Sequence, residues 1–256
     1  DNNGFVHIVY LKRQGEDAWL HYATNKSGSW PTELLFANSD LGPYNEGSTF
    51  PRFMHHSLDL KLQDNGKPIV QFFNGKIYNV IACGPLGRID SSYSFYELNL
   101  NILAQEANDS WTYYSVPTPD FNESFGCLPA GDRFGEFSHL INAGSGQFYS
   151  IGNALHNGKA MFGRSGIADL NSWNFYAVDS LRRAYNSNPS DNLFWEGFDG
   201  IRFAQSDDSV INMIYITSRL YGKLNSNDIL KRFYFASFNP DSLGSKNYTP
   251  YYREIT

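Results

Sequence analysis

Residues 5 to 35 read FVHIVYLKRQGEDAWLHYATNKSGSWPTELL, and the pattern of this stretch predicts the fold class. It holds three apolar-aromatic runs, at 5–11, 18–24 and 30–35. The residues between the runs favour turns, because glycine adopts positive φ and Asn, Asp and Ser side chains hydrogen-bond to nearby backbone. Short apolar runs joined by such turns predict an antiparallel meander of strands.

The same unit recurs in degenerate form three more times along the chain. Its last strand aligns as SGSWPTELL, NDSWTYYSV, LNSWNFYAV and SKNYTPYYREI, and its penultimate strand as LHYATN, FYELNL, MFGRSG and FYFASF. A four-stranded unit that repeats about every 60 residues is typical of a β-propeller.

We therefore predict an all-β fold in which residues 1–256 form a single β-propeller domain. Its four-stranded antiparallel blades fall near 1–40, 50–120, 135–182 and 198–256. Four blades are expected. Five are the alternative, because the second unit is too long by about one strand. The first unit lacks a first strand.

The composition supports this fold class and narrows the partners. Aromatic residues make up 16% and charged residues only 18% of the 256 residues, a balance that favours strands over helices. The net charge is −6 and no Lys/Arg run exceeds two residues, so no nucleic-acid partner is predicted. No apolar run has the length that a membrane span needs, so membrane insertion is not expected.

Two stretches carry a resemblance to a known family: VHIVY…LHYATN…GSWPTELL at 6–35, and LQDNGKPIVQFF at 62–73 with Asp64, Gly66 and Pro68. They resemble the repeats of secreted bacterial β-propellers, in the superfamily that includes sialidase-like enzymes. The Asp-box of those enzymes, S-x-D-x-G-x-T-W, is not intact in this sequence. The resemblance implies a propeller at an extracellular or cell-surface location and names no ligand. The opening DNNGFVHIVY fits a mature form after cleavage, or an excised domain.

Two structural expectations follow from the repeat. Trp30, Trp111 and Trp173 stand at equivalent points of three units, so we expect them to pack between blades. Cys83 and Cys127 each lie beside a loop, and both a disulfide bridge and two free thiols are compatible with that placement.

The histidines are candidates for metal ligands and for catalytic groups. No His-x-His or Cys-x-x-Cys spacing appears, so no metal is predicted, and His7 and His21 are expected to hydrogen-bond locally between strands. His55 and His56 stand beside Arg52 at the entrance to a strand, near the expected central channel. They could serve as a base and an anion clamp for an acidic sugar, or form an exposed loop pair.

Other candidates lie in long loops that join the blades, at 38–55, 119–135 and 182–198. Asp132 and Glu196 are acidic groups there, and Phe125 and Trp195 are aromatic groups suited to stacking on a sugar. These loops share one propeller face, whereas the opposite face has short turns. The predicted ligand-binding residues are Arg52, His55, His56, Phe125, Asp132, Trp195 and Glu196.

The function predicted from these features is a non-catalytic extracellular binding module for carbohydrate or a protein surface. The alternative is a carbohydrate-active hydrolase or lyase acting at the central channel, which would need a matched pair of carboxylates. A structural or assembly subunit is a further alternative. No catalytic residue, metal or cofactor is predicted, and acidic turns such as Asp64-Asn65-Gly66 are interpreted as solvated turns.

Overall fold

The computed structural model describes residues 1, 3–14, 17–37, 52–83, 89–116, 121–122, 131–132, 139–154, 159–180, 196–205, 210–220, 229–245 and 251–255. Within these ranges the regular elements are β-strands, apart from one 3₁₀ turn at Pro240–Ser242. The all-β prediction is confirmed. In this described part of the chain, no helix has the length and apolar character to cross a membrane.

The strands form four antiparallel meanders and one short ribbon. The first sheet holds β1 (His7–Gln14), β2 (Asp17–Thr24) and β3 (Thr32–Ala37). The second sheet holds β4 (Arg52–Leu62), β5 (Pro68–Cys83), β6 (Ile89–Gln105) and β7 (Trp111–Ser115). The ribbon pairs β8 (Phe121–Asn122) with β9 (Gly131–Asp132). The third sheet holds β10 (His139–Gly144), β11 (Gln147–Ala154), β12 (Lys159–Gly166) and β13 (Asp169–Ser180). The fourth sheet holds β14 (Glu196–Gln205), β15 (Ile211–Leu220), β16 (Ile229–Phe238) and β17 (Tyr251–Ile255).

The sheets pack against one another in chain order through their first strands. β1 contacts β4, β4 contacts β10, and β10 contacts β14. Leu140 N–H donates to Asp59 Oδ2 at 2.8 Å, and Asn142 Nδ2 donates to the Leu62 carbonyl at 2.8 Å. The residue numbers of both strands rise in the same direction along these contacts, so β4 and β10 run parallel. Meander sheets stacked through parallel first strands have the arrangement of propeller blades.

The hydrophobic core is divided into three clusters, each between two neighbouring sheets. β5 shows why apolar residues stand on both of its faces: Ile69 and Phe73 belong to the cluster shared with the third sheet. Val70 and Phe72, on the other face of the strand, belong to the cluster shared with the first sheet. A strand buried on both faces needs apolar residues at consecutive positions, so period-2 alternation is lost there.

The excess length of the second unit lies in two long strands and not in an extra blade strand. KPIVQFF and GKIYNVIAC, which look like two runs in the sequence, are continuous within the single strand β5. Its partner β6 is equally extended, with pairs that run from Ile69↔Ala104 to Cys83↔Ile89. This sheet therefore keeps four strands.

Several boundaries differ from the sequence prediction. β4 begins at Arg52, so the loop predicted at 38–55 is shorter than expected. The connection 119–135 contains the β8–β9 ribbon. In each case pairing with a neighbouring strand extends regular structure into residues whose own pattern favours a loop. Cys83 ends β5 and Cys127 lies outside the described residues, so the bridge stays a prediction.

The tryptophan prediction is confirmed at two positions and wrong at the third. Trp173 is buried in the cluster between the second and third sheets. The Trp111 ring lies 5.2 Å from that of Tyr22, and its Nε1 donates to Glu33 Oε2 at 3.0 Å across to the first sheet. Trp30 is 51% exposed. Among the described residues, no sheet precedes the first one to cover it.

Candidate functional site

The two ends of the sheets differ in how the chain connects its strands. β4 and β10 run parallel and each ends in a tight turn, at Asp64–Gly66 and Gly144–Gly146. We call this end the turn face. The opposite end, where β4, β10 and β14 begin, carries the connections between blades, and we call it the loop face.

The predicted site residues of β4 lie toward the loop face. Arg52 is the first residue of the strand and pairs with Lys76. The register then jumps from Met54↔Asn74 to Leu58↔Phe72, so three residues including His55 and His56 oppose one residue of β5. Such a β-bulge re-aims side chains and is over-represented near functional sites. The histidine pair therefore lies in an irregular part of a first strand and not in a loop.

The remaining predicted residues are placed by their backbone or not at all. Glu196 is the first residue of β14, which contacts β10, and Asp132 ends the short strand β9. Arg52 and Glu196 thus begin two first strands of different blades. Phe125 and Trp195 lie outside the described residues.

A long hairpin projects beside these residues. β4 accompanies β5 only as far as Lys76, and β7 accompanies β6 only from Asn101. Beyond Lys76 the strands β5 and β6 pair with each other up to Cys83↔Ile89, and no other described strand pairs with them there. Seven further residues at 3.3 Å each extend this arm by about 23 Å. β5 runs from the turn face to the loop face, so the arm extends past the loop face.

Asp59 carries the best-defined ionic contacts of a first strand. Oδ2 accepts the Leu140 N–H at 2.8 Å and lies 3.7 Å from His139 Nδ1. Oδ1 accepts the Leu60 N–H at 2.9 Å and lies 3.4 Å from Lys61 Nζ. Burial alone would raise the pKa of Asp59, but the hydrogen bonds from His139 and the Leu140 amide, with the Lys61 charge, outweigh it and lower that pKa.

This chemistry gives Asp59 a structural role. A carboxylate that is held ionised, with each oxygen accepting a backbone N–H, is poorly suited to donate a proton as a general acid. Its contacts join β4 to β10, and so the second blade to the third. In the sequence, Asp59 is one of several acidic residues near the start of a strand. Its link to another blade could not be read from sequence.

Gln71 is a second link between blades that the sequence analysis missed. Its Oε1 accepts the Ser150 hydroxyl at 2.6 Å, and both residues are buried. The available signal was a lone amide within the apolar run Ile69–Phe73, since a polar group at such a position requires a partner.

The turn face is closed by hydrogen bonds between blades. Asp64 Oδ1 accepts from Asn142 Nδ2 at 3.0 Å, and Asp64 Oδ2 accepts the Gly146 N–H at 3.0 Å. Lys67 forms an ion pair with Asp109 on the same face. No cluster of three or more His, Cys, Asp or Glu suited to a metal occurs among the described side chains. The polar groups of this face bind one another.

His7 shows the local hydrogen bonding expected of it, whereas the prediction is wrong for His21 Nδ1, which is buried and has no hydrogen-bond partner among the described residues. Nδ1 lies 2.6 Å from the Tyr22 hydroxyl and Nε2 lies 3.2 Å from Asp1 Oδ2. Burial, followed by the Lys26 and N-terminal charges, lowers the pKa of His7, and burial raises the pKa of Tyr22. The imidazole joins β1 to β2 and is enclosed, so it offers no ligand site.

Comparison with known proteins addresses the fold. No family model and no curated protein matches the chain. Among solved structures, the chain is similar to the GH93 alpha-L-arabinofuranosidase of Fusarium graminearum in complex with arabinobiose, a β-propeller. The TM-score is 0.50 at 9% identity, over 99% of this chain and 64% of that chain.

The fold is a β-propeller.

The propeller prediction is thereby confirmed, and the sialidase-like attribution within it is not supported. At 9% identity the likeness shows the fold alone. This chain spans 64% of the length of the arabinofuranosidase chain.

Proposed function

We propose that this β-propeller is a non-catalytic extracellular module that binds carbohydrate through its loop face. The observation that carries the proposal is the β-bulge of β4, which sets His55 and His56 in an irregular segment three residues after Arg52. Imidazole and guanidinium groups donate hydrogen bonds to the hydroxyls and carboxylates of sugars. We take residues 1–256 as one domain, with blades near 1–40, 50–120, 135–182 and 198–256.

Two further features support binding at this face. Glu196 begins another first strand and adds acceptors for sugar hydroxyls, and the β5–β6 arm extends past the same face. Phe125, Asp132 and Trp195 belong to the connections between blades. We assign the two aromatic rings to stacking on sugar faces and Asp132 to hydrogen bonding.

The environment of Asp59 favours binding over hydrolysis at this carboxylate. Glycosidases use one carboxylic acid with a raised pKa and one carboxylate about 5 to 10 Å away. Asp59 has the opposite property, since its pKa is lowered and its oxygens accept backbone amides. The likeness to an arabinofuranosidase bound to arabinobiose makes arabinose-containing glycans a reasonable first set of ligands.

The test is a glycan array with the 256-residue chain, followed by calorimetric titration of the best ligand and of arabinobiose. Arg52→Ala and Trp195→Ala should each weaken binding by about tenfold or more, the usual effect of removing a central contact. Their melting temperatures should stay within a few degrees of wild type. Asp64→Ala is the matched control on the turn face: it should lower stability and leave affinity unchanged. If both loop-face variants bind normally and Asp64→Ala loses binding, the ligand binds at the turn face and the proposal is wrong.

A carbohydrate-active enzyme is the second candidate, because the similar structure is a hydrolase. Release of aryl alcohol from an aryl arabinofuranoside, or of new reducing ends from arabinan, would establish it. Activity lost in both His55→Ala and Glu196→Gln, with ligand still bound, would overturn the non-catalytic proposal. If no glycan on the array binds, a protein surface is the favoured ligand.

A further inference from the structure

Four asparagines of this chain are followed directly by glycine: Asn3, Asn65, Asn74 and Asn157. Asparagine is a thermolabile residue. A following glycine increases its reactivity, because glycine has no side chain to shield its backbone nitrogen from the neighbouring amide carbon. The structure describes the first three of these pairs and places them in different surroundings, whereas Asn157 lies outside the described residues.

Asn65 stands at the tip of the tight turn between β4 and β5, on the turn face. It is exposed, and a Cβ built on Gly66 would meet no atom within 4 Å. The Lys67 N–H donates to Asn65 Oδ1 at 2.9 Å, which polarises the amide carbonyl and makes its carbon more electrophilic. The Gly66 N–H donates to the Gln63 carbonyl at 2.9 Å. Because this bond closes the end of a hairpin, little local opening is needed to release the Gly66 nitrogen.

Asn74 is the opposite case. It lies within β5 and is only 4% exposed. The glycine that follows it, Gly75, pairs with Phe53 on β4 and with Leu98 on β6, so its backbone is held between two neighbouring strands. Releasing the Gly75 nitrogen would require the second sheet to separate, which costs far more free energy than the opening of a turn.

We propose that Asn65 is a site of spontaneous deamidation, and that this reaction weakens the contact between the second and third blades. The Gly66 nitrogen loses its proton and attacks Asn65 Cγ, and Nδ2 leaves with a proton as ammonia. The cyclic imide that forms then takes up one water molecule. Cleavage of its Cγ–N bond gives aspartate, and cleavage of its backbone C–N bond gives isoaspartate, in which the main chain runs through the side-chain carbons. No atom is oxidised or reduced, and water is the co-reactant.

The consequence follows from the contacts of the preceding residue. Asp64 accepts from Asn142 Nδ2 through Oδ1 and from the Gly146 N–H through Oδ2, each at 3.0 Å, so this turn joins β4 to the third blade. Isoaspartate adds one atom to the main chain of a turn whose ends are fixed by the pair Leu62↔Pro68. The isoaspartate product therefore moves the Asp64 carboxylate away from the third blade. The aspartate product keeps the normal main chain and adds one negative charge.

The test follows two of these asparagines within one peptide. The folded 256-residue chain is incubated in mildly alkaline buffer and digested with trypsin, which leaves residues 62–76 as one peptide because Lys67 precedes proline. Tandem mass spectrometry measures conversion at Asn65 and Asn74 separately. Asn65 should convert at least about tenfold faster than Asn74, because a turn opens far more often than the middle of a sheet. In concentrated urea the two rates should become similar.

Asn3 provides a reference within the same protein. It is exposed, and its turn has the same form, because the Gly4 N–H donates to the Asp1 carbonyl and Gly4 has φ +78°. Equal rates at Asn65 and Asn74 in the folded chain would overturn the proposal. So would an unmodified Asn65 in protein whose Asn3 has converted, since the turn between β4 and β5 would then protect its asparagine.

Hydrogen–deuterium exchange tests the effect on the blades. After conversion to isoaspartate, the Gly146 amide should exchange faster, because its acceptor Asp64 Oδ2 has moved. Asn65→Asp reproduces the aspartate product and should exchange at Gly146 like the unmodified chain. Asn65→Gln forms the larger imide ring slowly, so its exchange should be the same before and after incubation. Unchanged exchange at Gly146 in the isoaspartate form, or an equal rise in incubated Asn65→Gln, would overturn the proposed effect on the third blade.

Discussion

The second and first blades contain equivalent positions that meet opposite environments. Val70 and Phe72 on β5 correspond to Ile8 and Tyr10 on β1, counted from the matching turns at Gly66 and Gly4. The first pair is fully buried against the first sheet, whereas Ile8 is 42% and Tyr10 is 38% exposed. The residue types are alike, and among the described strands a neighbouring sheet packs on the second blade's pair and none on the first blade's.

This difference shows how the stability of a propeller is distributed. In a repeat protein each unit contributes an intrinsic part and an interface with its neighbours. The three core clusters are such interfaces. The outward face of the first sheet carries the same kind of residues, but no described sheet packs against it. The fourth sheet likewise exposes Ile214, Phe233 and Ile255 on its described residues. An identical substitution should therefore lower the free energy of unfolding much more at an interface between sheets than on these exposed faces.

The largest effect is expected from Phe72→Ala. Phe72 is fully buried and its ring lies 5.1 Å from that of Phe36 in the first sheet. Removing a buried Phe side chain should lower the free energy of unfolding by about 3–5 kcal/mol. Urea denaturation measures this. The matched variant Tyr10→Ala should cost less than about 1 kcal/mol, and an equal loss in both would mean that the outward face is covered in solution.

A smaller effect is expected from Asp59→Asn, which removes a charge at the interface of the second and third blades. Losing hydrogen bonds to a charged group costs about 1.5–3 kcal/mol. Because the folded pKa of Asp59 lies below its ordinary value of 3.8, its contribution is complete above that value and is lost as pH falls through the folded pKa. Stability curves from pH 7 to pH 2 should therefore converge for wild type and variant at low pH. A constant gap at every pH would contradict the assigned role of the charge.

Gly163→Ala tests how tightly the third blade is packed. A Cβ at this position would lie 2.7 Å from Cε1 of Phe175, a ring that packs against the core shared with the second sheet. Overpacking of this kind costs about 1–3 kcal/mol. The double variant Gly163→Ala/Phe175→Leu should regain part of the loss, which thermal unfolding of all three proteins can measure. Additive losses would show that the ring is not the obstacle.

The smallest effect is expected from Trp30→Ala. Trp30 follows the β2–β3 turn as Trp111 follows the β6–β7 turn, yet it is 51% exposed. Its removal should change the free energy of unfolding by no more than about 0.5 kcal/mol, as at most surface positions. Trp173→Ala, at a buried equivalent, should cost about 3–5 kcal/mol under the same conditions. A large decrease in the free energy of unfolding on Trp30→Ala would show that Trp30 is covered in solution.

Much of the fold could be predicted because turns and strands have local causes. The Asp64-Asn65-Gly66 turn before β5 and the Ser110-Trp111 pair at the start of β7 predict where these two strands begin. The histidine pair was less predictable. The sequence marks His55 and His56 as notable, but the bulge that contains them depends on the register of β4 against β5. Register is set by partner strands and is not written in the residues of one strand.

Local sequence patterns are enough to predict the β-meanders, the positions of their tight turns and the residues that are apolar enough to be buried. These follow from backbone preferences and alternation, which act over a few residues. Contacts between sheets establish that Asp59 joins β4 to β10, that Gln71 accepts a hydrogen bond from Ser150, and that Trp173 is covered while Trp30 is not. Each of these depends on a sheet contributed by distant residues, and burial is a property of what packs against a residue and not of the residue alone.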